Sequence, residues 1–134
     1  MDTLNQIESA ILKKMLSGDE SNFKILREQY MPAKVTQREN AGVGFFTNFF
    51  IPPDAPRLPD SVGLEITNVS ADVEGLVNGA DFILFVRDGA IAMLEGFAYD
   101  GPWPEDPKLL RLFYNELSSR RLNDGRNPPS GSGS

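Results

Sequence analysis

The sequence predicts an α+β domain in which an N-terminal helical pair packs on a mostly antiparallel sheet of five to six strands. Three observations carry that expectation. Apolar residues in the first thirty positions recur at helical spacing, whereas from Val35 onward they fall in short alternating or continuous runs bounded by Gly, Pro and Asn. The pair Asp88-Gly89 between two apolar runs marks a β-hairpin over residues 82–99. The 134 residues, 40% hydrophobic and 24% charged, suffice for one core and match the composition of folded soluble domains. Residues 1–122 are therefore expected to form a single domain, and residues 123–134, ending in Ser-Gly repeats, a flexible tail or appended linker.

In chain order, Leu4, Ile7, Ile11 and Met15 form one helical stripe, with Glu8, Lys13 and Lys14 lying off it and Asp2 or Thr3 available as a cap. Gly18 ends that helix. A second helix is expected from Ser21 or Asn22, with Phe23, Leu26 and Tyr30 on one face and Pro32 beyond it. Val35 to Glu39 alternates as a strand, and Gly42 and Gly44 lead into a second strand over residues 45–51. That strand carries Phe45, Phe49 and Ile51 on one face and Phe46 and Phe50 on the other, so it is expected inside the sheet. Pro52, Pro53, Pro56 and Pro59 mark a stiff loop, with a third strand starting near Val62. Between residues 64 and 76 the alternation changes phase, which a bulge at Thr67 or Asn68 reconciles. The most continuous apolar run, residues 82–86, is expected at the sheet's centre, returning after Asp88-Gly89 through residues 91–99. Residues 109–114 fit either a helix started by Asp106-Pro107 or a strand, and strand is preferred.

Composition excludes much chemistry. The chain has neither Cys nor His, which removes disulfides, thiolate nucleophiles, imidazole bases and the usual zinc, copper and haem ligand sets. The aspartate spacing misses the calcium-loop pattern, and Gly42 and Gly44 lack the further glycine, helix and Lys of a phosphate loop. No metal, cofactor or catalytic residue is therefore expected. With 19 acidic against 13 basic residues and a net charge of −6, the surface repels nucleic acid and attracts basic proteins. Lys13, Lys14, Asp19 and Glu20 interrupt the N-terminal apolar pattern, so neither signal peptide nor membrane span is expected, and the default location is the cytoplasm.

Among the carboxylates predicted on strands, Glu65, Asp72, Glu74 and Glu95, the last stands out. It shares parity with Ile91, Met93, Phe97 and Tyr99, an apolar face, and there a carboxylate must be partnered or exposed. Arg87, Arg38 or Lys34 could pair with it. Trp103, held between Pro102 and Pro104, reads either as a lid over the sheet's edge or as a binding anchor with little entropy to lose. The candidate binding residues are therefore Glu95, Tyr99, Asp100, Trp103 and Glu105, all on the hairpin's far strand and outgoing loop.

The segments Gly42-Val43-Gly44-Phe45-Phe46-Thr47, Gly79 to Gly89, Leu94-Glu95-Gly96-Phe97 and Trp103-Pro104 resemble, in their order, a family of small bacterial single-domain proteins with no established activity. In size and acidity the chain is also similar to immunity proteins that neutralise bacterial toxins, a likeness of general character that carries over no residue. The expected function is accordingly non-enzymatic binding of another protein, for example as an inhibitor of a basic toxin or nuclease. A carboxylate-dependent enzyme or small-molecule binder centred on Glu95, and a self-associating structural subunit, are the alternatives.

Overall fold

The computed structural model describes residues 1–59 and 62–115. The expected tail at 123–134, and the domain boundary at 122, lie outside them. Two helices, α1 (Gln6–Met15) and α2 (Ser21–Tyr30), precede seven strands: β1 (Lys34–Asn40), β2 (Gly44–Phe50), β3 (Leu64–Ile66), β4 (Val69–Val73), β5 (Ala80–Arg87), β6 (Ala90–Ala98) and β7 (Leu109–Tyr114). The α+β class and antiparallel sheet are as the pattern predicts. The sheet order is β1-β2-β6-β5-β4-β7, with β3 also paired to β5.

Six strands form the main path of the sheet, near the number expected, and the seventh, β3, arises from a break at Thr67-Asn68. Here the chain steps out of register between β3 and β4, both of which pair with β5, opposite residues 84–86 and 80–81 respectively. This irregular step brings Leu64, Ile66, Val69, Ala71 and Val73 onto one face, as the phase change in the sequence requires. Strand β3 starts at Leu64 rather than Val62. The 109–114 segment is a strand, pairing with β4 from Val69 opposite Tyr114 to Val73 opposite Leu109.

The hairpin of β5 and β6 turns through Asp88 and Gly89, both at positive φ (54° and 79°), the backbone that a two-residue type I′ connection demands. An extra residue near Ala92 shifts the register, so that Val86 faces Ile91 while Phe85 faces Met93. This bulge moves Ile91 off the face it was expected to share with Met93 and Glu95. Ile91 points into the core with Phe82, Leu84, Val86 and Leu94, all buried.

Both helices cover that one face, α2 against β6 and α1 against β4 and β7. Ile11, Leu12 and Met15 of the first helix, Leu16 just after it, and Phe23 and Leu26 of the second join the strand residues in a single buried cluster. Burial of such side chains, at about 1.5–3 kcal/mol each, holds helices too short to be stable alone. The N-cap of α1 is Asn5, not Asp2 or Thr3. Its side chain accepts from Glu8 N at 2.8 Å while Glu8 Oε1 accepts from Asn5 N at 2.9 Å, a reciprocal capping box. Gln29, fully buried on α2, accepts from Ile91 N (2.9 Å) and donates to the carbonyls of Pro56 (2.9 Å) and Gly89 (3.0 Å). One amide thus ties helix, hairpin turn and proline loop together. Arg57 stiffens the same loop by donating to the carbonyls of Ile51, Pro52 and Ala55 at 2.9–3.2 Å.

Candidate functional site

Alternation along the strands divides the sequence-predicted residues between two surfaces. Residues in register with Leu94 and Gly96, including Phe45 and Thr47, face the helices. Those in register with Glu95, including Phe46 and Ile83, face the other way, away from the side where α1 and α2 pack, and are partly exposed. Glu95 and Tyr99 belong to the uncovered face; Trp103 and Glu105 do not.

Trp103 is buried at 6% exposure. Its amide donates to Gly42 O at 2.7 Å and its ring lies 5.1 Å from the Phe45 ring, tilted by 52°. It closes the edge of the core as a lid. With Phe45 and Ile7 it also walls a cleft of about 230 Å³, which Glu8, Arg38 and Glu105 help to line. That is small beside the 300–1,000 Å³ typical of ligand pockets. Asp100 is a turn residue: its carboxylate accepts from Val77 N (3.1 Å) and Asn78 N (3.2 Å).

The cleft's polar wall is a buried network that the helical pattern does not reveal. Glu8, expected off the apolar stripe, is only 2% exposed. Its Oε2 accepts from Arg38 Nε (2.7 Å) and Thr47 Oγ1 (2.8 Å), and its Oε1 from Arg38 Nη2 (2.9 Å) besides Asn5 N. Burial pushes the Glu8 carboxyl up, but the donors from Arg38, Asn5 and Thr47 outweigh it and hold the group below its ordinary value of 4.5. A carboxyl depressed in the folded state adds stability above the unfolded value, and that contribution is lost as pH falls through the folded one. We therefore expect Glu8→Gln to cost about 2 kcal/mol at neutral pH, less than a fully buried pair because Arg38 stays partly exposed. Urea unfolding should show the gap between wild type and variant shrinking once pH drops below 4.5. An Asn followed three residues later by Glu is the capping-box signature, and it was the available clue that Glu8 turns inward.

The uncovered face is a different surface. Across β2, β6 and β5 it presents Phe46, Phe50, Met93, Phe97, Ile83 and Phe85, with Phe113 on β7 beyond. Phe50 is 41% exposed and Tyr99 60%. Its carboxylates are Glu39, Glu65, Asp72, Asp81 and Glu95, against the cations Lys34, Arg87 and Arg111. The cations are already engaged or peripheral. Arg111 pairs with Asp72 at 3.0 Å and stacks 4.4 Å over Phe113, Arg87 lies 5.1 Å over Phe85, and Lys34 sits on the edge strand. Asp81 accepts from Ser70 and from the Tyr99 hydroxyl. That bond pushes the Tyr99 hydroxyl up to about 12, so it remains a donor to Asp81 under physiological conditions.

Glu95 occupies the middle of this face. Its cross-strand neighbours are Phe46 and Ile83, and Met93 and Phe97 flank it along β6. The expected pairing with Arg87, Arg38 or Lys34 is not formed: Arg38 serves Glu8 on the opposite side of the sheet, and Glu95 has no salt bridge or hydrogen bond among the described residues. Nor does it line the Trp103 cleft. Glu65 and Glu95 lie on strands separated by β5, opposite Phe85 and Ile83, and so do not form adjacent cross-strand neighbours for acid–base work. No group of three or more acidic side chains able to hold a metal ion occurs among the described residues, and no described helix is long and apolar enough to cross a membrane. Comparison with protein-family models, curated proteins and solved structures finds nothing that matches this chain.

Proposed function

We propose that this chain is a non-enzymatic, cytoplasmic binding protein that recognises another, basic protein with the uncovered face of its sheet. The observation that carries this reading is the composition of that face: neighbouring aromatic and aliphatic side chains, with carboxylates at its centre and margin and two of its three cations, Arg87 and Arg111, lying over its own rings. Apolar area of this kind supplies affinity, and the acidic surround selects a basic partner and speeds its approach. A second copy of the chain fits less well, because a two-fold contact centred on this face would bring the two Glu95 carboxylates together. A basic toxin or nuclease that the chain inhibits is the kind of partner most consistent with its charge of −6. A toxin gene directly upstream would favour it.

The test is capture from the native host with wild type, Ile83→Asp, and Val77→Asp as a control on a different, highly exposed residue. A basic protein should be retained by wild type and Val77→Asp, be released as salt is raised, and bind Ile83→Asp at least tenfold more weakly. Equal retention by Ile83→Asp, with its circular dichroism unchanged, would overturn the proposal. Concentration-dependent light scattering that Ile83→Asp abolishes would instead identify self-association.

A further inference from the structure

We infer that the uncovered face takes an arginine side chain from its protein partner, with Glu95 as the carboxylate that receives the guanidinium. This rests on the sheet-face reading above and gives it a specific anchor. Glu95 is half-buried, sits on β6 between two further strands, and is bordered on all four sides by Phe46, Ile83, Met93 and Phe97. Cross-strand neighbours stand about 4.5–5.5 Å apart at Cβ, so Phe46 and Ile83 lie closest beside Glu95, while Met93 and Phe97 flank it two residues away along β6. Both of its oxygens lack a donor among the described residues. A partly buried carboxylate with no protein donor is satisfied by water, and an incoming cation that supplies donors can replace that water within the apolar surround.

The surround selects among cations. A guanidinium is planar and weakly hydrated; it can donate two parallel hydrogen bonds to one carboxylate while its faces rest on aromatic rings, here Phe46 and Phe97. An ammonium is compact and strongly hydrated, and gives up more hydration to enter the same place. The protein's own arginines already show the habit on this face, since Arg87 and Arg111 each lie over a phenylalanine. Neither reaches Glu95. Arg87 lies at the far end of β5, four residues from Ile83, and Arg111 lies on β7, beyond β5 and β4.

The probe is a set of blocked tripeptides, acetyl-Val-Xaa-Val-amide, with Xaa as arginine, lysine, citrulline or leucine, titrated into the full chain and followed by amide chemical shifts. The arginine peptide should give saturable shifts confined to residues 46, 83, 93, 95 and 97, binding roughly tenfold more tightly than citrulline and more tightly than lysine. Glu95→Gln should erase the advantage of arginine over citrulline, and Glu95→Asp should keep part of it. Equal binding of arginine and citrulline, or an arginine advantage that survives Glu95→Gln, would overturn the inference. If the leucine peptide docks on the same strands as well as the arginine peptide, the sheet face binds but does not read arginine. Shifts that fall elsewhere or not at all overturn the arginine site, and the capture experiment with Ile83→Asp then decides the wider reading separately.

Discussion

Gln29→Leu is expected to destabilise the protein by about 3 kcal/mol in urea unfolding, although leucine is apolar, similar in size and at home in a helix. The amide is completely buried and makes three hydrogen bonds, all to backbone groups of other segments. Leucine fills the space but strands Ile91 N and removes a donor each from the Pro56 and Gly89 carbonyls. An orphaned buried backbone group costs about 1–3 kcal/mol, and carbonyls with a second partner lose less. Gly89 O retains the Leu58 amide at 3.0 Å, so most of the loss falls on Ile91 N. Glu is the informative second variant, since it preserves the acceptor for Ile91 N but offers the two carbonyls at most one O–H donor, and only when protonated. An effect of Gln29→Leu below about 1 kcal/mol would show that the three segments are held by packing alone.

Gly44→Ala should be at least as damaging, about 3 kcal/mol, for a steric reason unrelated to conformational freedom. A Cβ at this position would fall against the Gly96 carbonyl oxygen and 2.9 Å from Phe97 Cα, both backbone atoms of the neighbouring strand. Side chains can rotate aside, but a strand in the middle of a sheet cannot. The pairing of β2 with β6 would have to open at Gly44 opposite Phe97, which also disturbs the Ala98 N to Val43 O bond of 2.8 Å beside it. Loss of amide-exchange protection concentrated at residues 43–46 and 96–98 would confirm that mechanism. Gly42→Ala is the matching control for space, because nothing lies within 4 Å of a Cβ there, and its cost should come from its positive φ of 85° alone.

Much of the fold was legible because its signals are local. The Asp88-Gly89 turn, the phase change at Thr67-Asn68 and the two-sided apolar character of β2 each depend on a few adjacent residues, and each appears where its spacing requires. The site was less legible, for an equally physical reason. Parity along β6 identifies which residues share a face with Glu95, but which face the helices occupy depends on contacts between residues sixty positions apart, such as Gln29 with Ile91. The bulge at Ala92 then removes Ile91 from the set that parity alone assigns. A separation of 30 residues likewise hid the partnership of Glu8 with Arg38, which left Arg38 among the three candidate partners of Glu95. Trp103 illustrates the opposite case: adjacent prolines identify a fixed indole, but only the position of Phe45 decides that it is fixed inward.

The order of the strands has a consequence for how the chain is made. Strand β2 must wait for β6, some fifty residues later in synthesis, and the apolar stripes of α1 and α2 wait for β4, β6 and β7. A nascent chain that has emerged only as far as the proline loop therefore exposes two unsupported helices and an aromatic hairpin with one free edge. Contacts so distant in sequence slow folding, and exposed edges of this kind invite misassembly. The edge strand β1, rich in charged and amide side chains and interrupted by a register shift after Val35, guards one side of that hairpin during the delay. The last of these supports, β7, is complete only at Tyr114, so the helices stay without their full cover until nearly all the described residues are present.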